Sequence, residues 1–428
     1  MSDPGSDPRP ANSARRVLLA SLAGTTIEFF DFYIYATAAV LVFPRLFFPA
    51  SEPASATLQS FATFALAFFA RPVGSAVFGH FGDRIGRKAT LVAALLTMGV
   101  STVLIGLLPT YATIGLAAPV LLAVCRFGQG FGLGGEWGGA VLLATENAPP
   151  GKRAWYGMFP QLGAPIGFLC SGGIFVVLSK TLTDAQFLAW GWRLPFVASA
   201  ALVLVGLWVR LKISETPAFA RAMAQEKRVA VPIAAVLKTH TRALVLGTLV
   251  AVATFTLFYL LTVFCLSWGT TKLGFTREKF LLIQMTGVLF FAAAIPTSAV
   301  MADVRGRRLT LALVTVAIAI FGLALAPLFQ AGTAGAFAAM IVGFALMGLT
   351  YGPLGTMLSE LFPTAVRYTG ASMTFNLAGI LGASLAPYAA TELATRYGLH
   401  AVGYYLASVA AVTLAAILLS HETREAEH

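Results

Sequence analysis

Long apolar stretches separated by short polar breaks run along almost the whole chain. Each stretch is at least about 20 residues long, the length that an α-helix needs to cross the hydrocarbon core of a bilayer. The pattern therefore predicts an all-α integral membrane protein with twelve spanning helices. They are expected over residues 17–43, 56–81, 89–108, 114–145, 154–179, 190–211, 241–270, 278–302, 309–329, 333–360, 369–394 and 399–420.

The longest polar break divides the predicted helices into two sets of six. It covers residues 212–240 and is interpreted as a cytoplasmic linker, because several Lys, Arg and Glu residues lie in it. A first bundle over 17–211 precedes it and a second bundle over 241–420 follows. Polar tails are predicted over 1–16, which is rich in Pro and disordered in this interpretation, and over 421–428.

Composition supports a membrane protein and predicts its orientation. Hydrophobic residues make up 58% of the 428 residues. Charged residues make up 11%, against about 25% in soluble domains. The net charge of +11 comes from Lys and Arg in the polar breaks, with 20 on the side of the N-terminus and seven on the other. Because cytoplasmic loops carry this excess, both termini are predicted to be cytoplasmic, and no nucleic acid partner is expected.

An internal repeat relates the two halves. Residues 83–88 (DRIGRK) follow the second predicted helix, and 303–308 (DVRGRR) follow the eighth. Two acid–base pairs echo each other in the same way, Glu146 with Arg153 and Glu360 with Arg367. Parallel repeats of this kind place a substrate site between the halves, near the membrane midplane.

The first copy of this loop resembles the signature of the major facilitator superfamily, over residues 79–88 (GHFGDRIGRK). Other segments resemble the metabolite:proton symporter branch, which includes shikimate and organic-acid permeases. These segments are 28–32 (EFFDF), 70–72 (ARP), 126–137 (RFGQGFGLGGEW), 191–196 (GWRLPF), 215–217 (ETP) and 360–364 (ELFPT). The resemblance covers residues 17–420.

The resemblance implies two pseudo-symmetric six-helix bundles and proton symport by alternating access. A monomer in a bacterial inner membrane is expected, with a small-molecule substrate and protons as partners and without a cofactor or metal. A charged latch at the cytoplasmic gate is also implied. The residues assigned to this gate are Asp83, Arg84, Gly86, Arg87, Lys88, Asp303, Arg307, Glu146, Arg153, Glu360 and Arg367.

Five charged residues lie deep in predicted helices, all of them in the first half. They are Glu28, Asp31, Arg71, Arg126 and Glu136. A charge at the centre of a bilayer costs at least about 3 kcal/mol, so these positions point to function or to structural ion pairs. At about 1.5 Å per residue, Glu28, Arg71 and Glu136 lie roughly 14–17 Å deep, and Asp31 and Arg126 roughly 21–28 Å deep.

We expect Asp31 to carry the coupling proton, together with Glu28, Arg126 and Glu136 as a proton-coupling group. Desolvation raises the proton affinity of a carboxylate and a nearby arginine lowers it. Movement of Arg126 toward and away from Asp31 would therefore switch proton binding. The resemblance supports this pairing, since related porters use a first-helix carboxylate with a fourth-helix arginine.

Arg71 and Arg126 also present the planar guanidinium groups that suit a carboxylate, so they predict an organic anion as substrate. Uncharged contacts are expected from the second half, at Tyr259, Gln284, Tyr351, Asn376 and Tyr388. Each of these could instead be a packing residue. A zwitterionic osmolyte such as proline or betaine, and an uncoupled uniporter, stay open as alternatives. An enzyme is not expected, because no nucleophile–base or metal constellation lies at depth.

Overall fold

The computed structural model describes residues 14–49, 52–85, 87–212, 232–363 and 366–424, which are helical and contain no β-strand. Short helices over Phe43–Leu46, Tyr111–Ile114, Asp184–Ala189 and Pro232–Thr239 connect longer ones. The twelve long segments are α1 (Ala14–Leu41), α2 (Pro53–Ile85), α3 (Arg87–Leu107), α4 (Ala117–Glu146), α5 (Arg153–Thr181), α6 (Leu194–Lys212), α7 (Thr241–Thr271), α8 (Arg277–Arg305), α9 (Arg307–Gln330), α10 (Gly332–Glu360), α11 (Arg367–Tyr397) and α12 (Leu399–Leu419).

These helices confirm the predicted spanning pattern. Within the described residues, ten of them are long and apolar enough to cross a membrane, and α1 and α3 complete the twelve. Large apolar side chains also lie on the outer surface, including Leu116, Leu204 and Ile320, which are 74%, 66% and 64% exposed. An apolar surface of this extent is typical of a protein that contacts lipid.

Three of the predicted helices are wound irregularly. α4 is interrupted at residues 134–136, α7 contains a π-helical turn over Leu260–Phe264, and α11 contains one over Gly379–Ser384. The apolar pattern predicted each as one continuous segment, because hydropathy carries no information about local winding. Turns of this kind are frequent at functional sites.

Glycines allow α2 and α4 to pack with their backbones in contact. A Cβ atom added at Gly130 would collide with the backbone of Ala67, and one at Gly134 with the carbonyl of Arg71. Small residues permit this close approach between membrane helices. The contact places the long side chains of Arg71 and Arg126 on two directly adjacent helices.

The two bundles, α1–α6 and α7–α12, meet through helix pairs that the repeat relates. α5 packs against α8, and α11 packs against α2. α5 and α11 are each the fifth helix of their half, and α2 and α8 are each the second. The interface is therefore pseudo-symmetric, as the repeated loop predicted.

The two ends of the described chain lie on one face of the molecule. α1 and α5 run in the same direction, since Gly163 lies against Thr25 and Gly167 against Phe30. α5 begins against the end of α8, and the residues after α12 contact the end of α10 there. We call this the terminal face, and the side that carries the end of α5 and the start of α8 the opposite face.

Parts of the predicted tails and linker lie outside the described residues, namely 1–13, 213–231 and 425–428. The described remainder of the linker comprises the end of α6 and the helix Pro232–Thr239. The predicted domain boundaries therefore stay predictions.

Candidate substrate and proton site

A small cavity lies between the two bundles. Its volume is about 20 Å³, and a single water molecule needs about 10–15 Å³ on the same measure. A metabolite therefore enters only after the surrounding helices move apart. The cavity is lined by Phe29, Tyr33, Arg71, Ala164, Thr254, Phe255, Phe258, Tyr259, Met347, Tyr351 and Phe375.

Arg71 is the one charged side chain among these lining residues. It is 4% exposed, and its guanidinium carbon lies 4.6 Å from the ring centre of Phe32 and 4.8 Å from that of Phe68. Its Nε has no hydrogen-bond partner, so donor capacity is available for a carboxylate. Four titratable neighbours surround it, Tyr33, Tyr259, Tyr351 and Glu28.

Arg126 is fully buried beside the cavity and does not line it. Its guanidinium carbon lies 4.0 to 4.8 Å from the ring centres of Tyr35, Phe32 and Phe64. Nε donates to the carbonyl of Phe64 at 3.3 Å, and Nη1 donates to Oε1 of Gln129 at 3.0 Å. Aromatic faces stabilise a buried cation, which explains how the helices hold this charge.

Asp31 is also buried, at 1% exposure. Its Oδ1 accepts a hydrogen bond from Ser199 Oγ at 2.5 Å, while Oδ2 has no partner. Asp31 and Arg126 form no direct ion pair; Thr102 neighbours the carboxylate and accepts a 2.8 Å hydrogen bond from Nε2 of Gln129. The structure thus separates the two predicted partners by a pair of neutral side chains.

The other predicted proton-coupling residues, Glu28 and Glu136, are buried as well, at 7% and 4% exposure. Of the uncharged candidates for substrate binding, Tyr259 and Tyr351 line the cavity. Asn376 does not, because its Nδ2 donates to Ser75 Oγ across the two bundles at 3.0 Å.

Gln284 and Tyr388 also lie outside the cavity lining. Nε2 of Gln284 donates to the carbonyls of Leu261 and Thr262, at 2.8 and 2.9 Å, within the π-helical turn of α7. Tyr388 is 45% exposed. The sequence could not separate these residues from cavity residues, because the direction of a side chain depends on how its helix is rotated.

A layer of contacts between the cavity and the terminal face was missed by sequence reasoning. The rings of Trp137 and Phe375 stack across the bundles with centres 3.6 Å apart. Trp137 Nε1 donates to Oε1 of Gln161 at 3.2 Å, and Nε2 of Gln161 donates to the carbonyl of Tyr351 at 3.0 Å. These contacts close the cavity on its terminal side.

Asp303 joins the bundles at the terminal face. Its carboxylate accepts hydrogen bonds from the N–H groups of Ala154 and Trp155, at 3.0 and 2.9 Å. These are the first amides of α5, where a negative charge is favoured by the helix dipole. Arg307 lies 3.2 Å from Asp303 and forms two hydrogen bonds of 3.2 Å to Glu360.

The two repeated acid–base pairs converge on the same face. The charges of Glu146, Arg153 and Glu360 all act on Arg367, and Thr356 Oγ1 donates to the carbonyl of Arg153 at 3.4 Å. The structure therefore brings together the predicted gate residues that it describes. Gly86 and the side chains of the other signature-loop residues lie outside the described part, namely Asp83, Arg84, Arg87 and Lys88.

A second set of contacts closes the opposite face. Nε of Arg277 donates to Ser179 Oγ at 2.9 Å, and its Nη2 lies 2.8 Å from Asp184. Lys180 and Glu278 form an ion pair at 3.4 Å beside them. In the sequence, Arg277 is one of the seven basic residues on the side away from the N-terminus, and no repeat or motif marks it.

Local sequence positions these opposite-face groups. Thr276 begins α8 by accepting a hydrogen bond from the N–H of Lys279 at 3.3 Å, which holds the next residue, Arg277, at the helix start. Thr183 and Gln186 form a reciprocal capping box at the start of the short helix that carries Asp184. Such caps satisfy free amides and fix where a helix begins.

The chain matches the family model of sugar (and other) transporters twice, over residues 16–239 and 221–425. The chain belongs to this family, and its fold is that of a solved transporter of the major facilitator superfamily. It is a multi-pass membrane transporter of small molecules and not an enzyme. Both matches together cover the two bundles, so the resemblance carried by the signature loop is confirmed.

Curated relatives cover nearly the full chain. The inner membrane metabolite transport protein YhjE of Escherichia coli is 59% identical over 97% of this chain and 96% of its own length. A shikimate transporter of the same species is 38% identical over 96% of both chains. The proline/betaine transporter of Escherichia coli is 32% identical over 96% of this chain and 84% of that transporter's length.

A solved structure shares the fold. It is a D-xylose–proton symporter that superposes with a TM-score of 0.75, over 96% of this chain and 99% of that one, at 17% sequence identity. At this identity the likeness shows the fold alone. It confirms the predicted architecture of two six-helix bundles.

Proposed function

We propose that the chain imports a small organic anion by proton symport with alternating access. The observation that carries the proposal is Arg71, a buried arginine with a free donor and the one charge among the residues that line an otherwise aromatic cavity. A guanidinium binds carboxylates well. The hydroxyls of Tyr33, Tyr259 and Tyr351 add neutral hydrogen-bonding groups, which suits a shikimate-like or dicarboxylic acid. The relative named a shikimate transporter supports this class.

Proton coupling is proposed at Asp31, with Glu28 and Glu136 as the nearest alternatives. Two buried cations, Arg71 and Arg126, both contact the ring of Phe32. The charge of Glu28 acts on Arg71, and Asp31 is a further buried carboxylate on the same helix as Glu28. Protonation of Asp31 removes one negative charge. An incoming carboxylate restores the balance, so proton and anion binding reinforce each other.

The described contacts correspond to an occluded state with both faces closed. In the proposed cycle, the Asp303 contact to α5 breaks when the terminal face opens, and the Arg277 contacts break when the opposite face opens. The excess of Lys and Arg assigns the terminal face to the cytoplasm. A monomer in a bacterial inner membrane completes the proposal, in keeping with the name of the relative YhjE.

Uptake by reconstituted protein tests the proposal. Proteoliposomes with an acidic exterior are expected to accumulate shikimate above its external concentration, and Asp31→Asn is expected to abolish accumulation while the protein still exchanges shikimate. Glu392→Gln, at an exposed ion pair with Arg396, is the matched control. Parental accumulation by Asp31→Asn would move the proton role to Glu28 or Glu136. Uptake that ignores the pH gradient would indicate a uniporter.

An osmolyte is the second candidate, and the aromatic lining favours it. Phe29, Phe255 and Phe258 line the cavity together with tyrosines. Aromatic faces attract quaternary ammonium groups, and Arg71 could bind the carboxylate of the same zwitterion. Competition against labelled shikimate by glycine betaine and proline separates the two. Stronger competition from betaine than from any organic anion would overturn the anion proposal.

A further inference from the structure

We infer that the interrupted turn of α4 is the docking site of α11 when the terminal face is closed, and that Tyr368 is the positioning residue that holds the two helices together there. The inference rests on the proposed alternating-access cycle, in which the two bundles separate at the terminal face. It assigns a function to residues 134–139 (GGEWGG), in which one glycine pair precedes Glu136 and Trp137 and another follows them.

The interruption of α4 leaves two backbone carbonyls without partners in their own helix. The described backbone hydrogen bonds at this turn run from the N–H of Glu136 to Leu133 and from the N–H of Ala140 to Glu136. None of the described ones ends on the carbonyls of Gly134 and Gly135, which the N–H groups four residues later would reach in a continuous helix. Both glycines are buried, and a buried carbonyl needs a partner.

Side chains of two other helices bind these carbonyls. Ser75 Oγ on α2 donates to the carbonyl of Gly134, and it accepts a hydrogen bond of 3.0 Å from Nδ2 of Asn376. Tyr368 Oη donates to the carbonyl of Gly135 at 2.6 Å. Since Tyr368 and Asn376 both lie on α11, the second bundle is joined to both carbonyls, to one directly and to the other through Ser75.

The second glycine pair makes room for the same face of α11. A Cβ atom added at Gly138 would collide with Ser372 Oγ, and one at Gly139 would lie 3.4 Å from Cε2 of Tyr368. Tyr368, Ser372 and Asn376 follow one another at a spacing of four residues, so they share one face of their helix. The glycines of α4 therefore let this face approach closely enough for its hydrogen bonds to form.

The contact stabilises the closed terminal face. When α11 moves away from α4, water reaches the carbonyl of Gly135 and replaces the hydroxyl group of Tyr368. In the closed state Gly135 is buried, so its carbonyl has no such replacement. A buried carbonyl that loses its partner costs free energy, whereas the same carbonyl in water does not. Removal of the Tyr368 hydroxyl therefore shifts the equilibrium toward molecules that are open at the terminal face.

Labelling of a buried cysteine measures this shift. Thr356 is fully buried at the terminal face, on α10. Thr356→Cys gives a thiol that reacts with maleimide as this face opens. The chain otherwise lacks Cys125 and Cys170 and keeps the buried Cys265 as an internal reference. Mass spectrometry of the labelled protein measures the two rates separately.

Tyr368→Phe keeps the ring and removes the hydroxyl. It is expected to raise the labelling rate at position 356 about three- to tenfold, the range for loss of one hydrogen bond from the closed state. Tyr397→Phe is the matched control, because this tyrosine lies on the same helix and is 71% exposed. A parental rate in Tyr368→Phe overturns the role of this residue. An equal rise at Cys265 overturns it as well, because the whole protein would then be loosened.

Two neighbouring glycines test the docking site itself. Gly138→Ala and Gly139→Ala each add a methyl group to α4, but only the first collides with Ser372. Gly138→Ala is expected to raise the labelling rate at position 356, and Gly139→Ala to raise it by less than half as much. Ser372→Gly is expected to restore the parental rate in Gly138→Ala, because it removes the colliding side chain.

Equal rates in the two alanine variants, or no restoration by Ser372→Gly, overturn the docking site. All of these rates are measured without substrate and without a pH gradient. Failure of the proposed substrate or proton site is seen in the uptake experiment instead, so the two failures are distinguishable.

Discussion

At the scale of single residues, two buried arginines share one aromatic ring but have different surroundings. Both guanidinium groups lie within 5 Å of the centre of Phe32, at 4.6 Å for Arg71 and 4.2 Å for Arg126. Only Arg71 reaches the cavity, while Arg126 is engaged by Gln129 and the carbonyl of Phe64. Cation–π contacts explain how both charges are tolerated. This difference predicts that Arg71 binds the substrate and that Arg126 takes part in proton coupling.

Arg71→Lys is expected to weaken shikimate binding at least about tenfold, roughly 1.4 kcal/mol, because the ammonium loses the planar fork. Arg126→Lys is expected to change that affinity less, since this side chain does not line the cavity. Titration calorimetry at one fixed pH measures both. Arg396→Lys on the surface is the control. A larger effect from Arg126→Lys than from Arg71→Lys would place the carboxylate elsewhere.

Sequence identified the buried charges but not their neighbours. Asp31, Arg71 and Arg126 could be found because a charge is rare in an apolar helix. Ser199 and Gln129 gave no comparable signal, since neutral polar residues commonly bond between membrane helices. Which rings surround an arginine depends on helix rotation and packing.

At the scale of helices, the contact of α2 with α4 depends on the absence of side chains. Gly130 lies against the backbone of Ala67, so neither a rotamer change nor a small shift makes room for a methyl group. A Cβ atom added at Gly24 on α1 would instead have no neighbouring atom within 4 Å outside its own helix backbone. Overpacking between closely packed elements typically costs about 1–3 kcal/mol.

Gly130→Ala is therefore expected to lower the thermal midpoint of the detergent-purified protein and to reduce binding at the neighbouring Arg71. Gly24→Ala is expected to leave the midpoint unchanged or raise it, because alanine favours a helix where space allows. Thermal unfolding followed by tryptophan fluorescence compares the two. If Gly130→Ala had the same thermal midpoint as Gly24→Ala, the contact between α2 and α4 would accept a methyl group without loss of stability.

The contact of α8 with α5 yields a second prediction at this scale. Asp303→Asn removes the charge that faces the first amides of α5, which is expected to favour opening of the terminal face about tenfold. Thr356 is fully buried beside this contact, so a cysteine there reports opening by its reaction with maleimide. The background lacks the native Cys125, Cys170 and Cys265. Labelling at the parental rate would show that Asp303 does not hold the face closed.

At the scale of the whole molecule, the internal repeat predicted the charged contacts of the terminal face but not those of the opposite face. The echoed pairs pointed to the terminal face, where Glu146, Arg153, Glu360 and Arg367 do meet. The contacts of Arg277 have no counterpart in the repeat and were found only in the structure. The lengths of the apolar stretches were enough to predict the two bundles. Closure of the opposite face depends instead on connecting segments that differ between the two halves.

The Asp303 contacts at the terminal face and the Arg277 contacts at the opposite face should act independently on the transport cycle. Asp303 and Arg277 are 26 residues apart on α8, about 39 Å along the helix. The effects of substitutions at sites so distant usually add. Asp184 is 80% exposed, so its pair with Arg277 contributes only about 0.2–1 kcal/mol. The Asp303 contact is buried and faces a helix N-terminus, which makes it worth up to about 2 kcal/mol.

From these magnitudes, Asp303→Asn is expected to raise the ratio of terminal-open to occluded molecules about tenfold. Arg277→Gln is expected to raise the ratio of opposite-open to occluded molecules about two- to fivefold. The double variant should then show both ratios at their single-variant values, because neither contact changes in the opening that breaks the other. Spin-label distances across each face measure the three populations. A double variant in which either ratio returned to the parental value would mean that the faces are coupled by contacts other than these two.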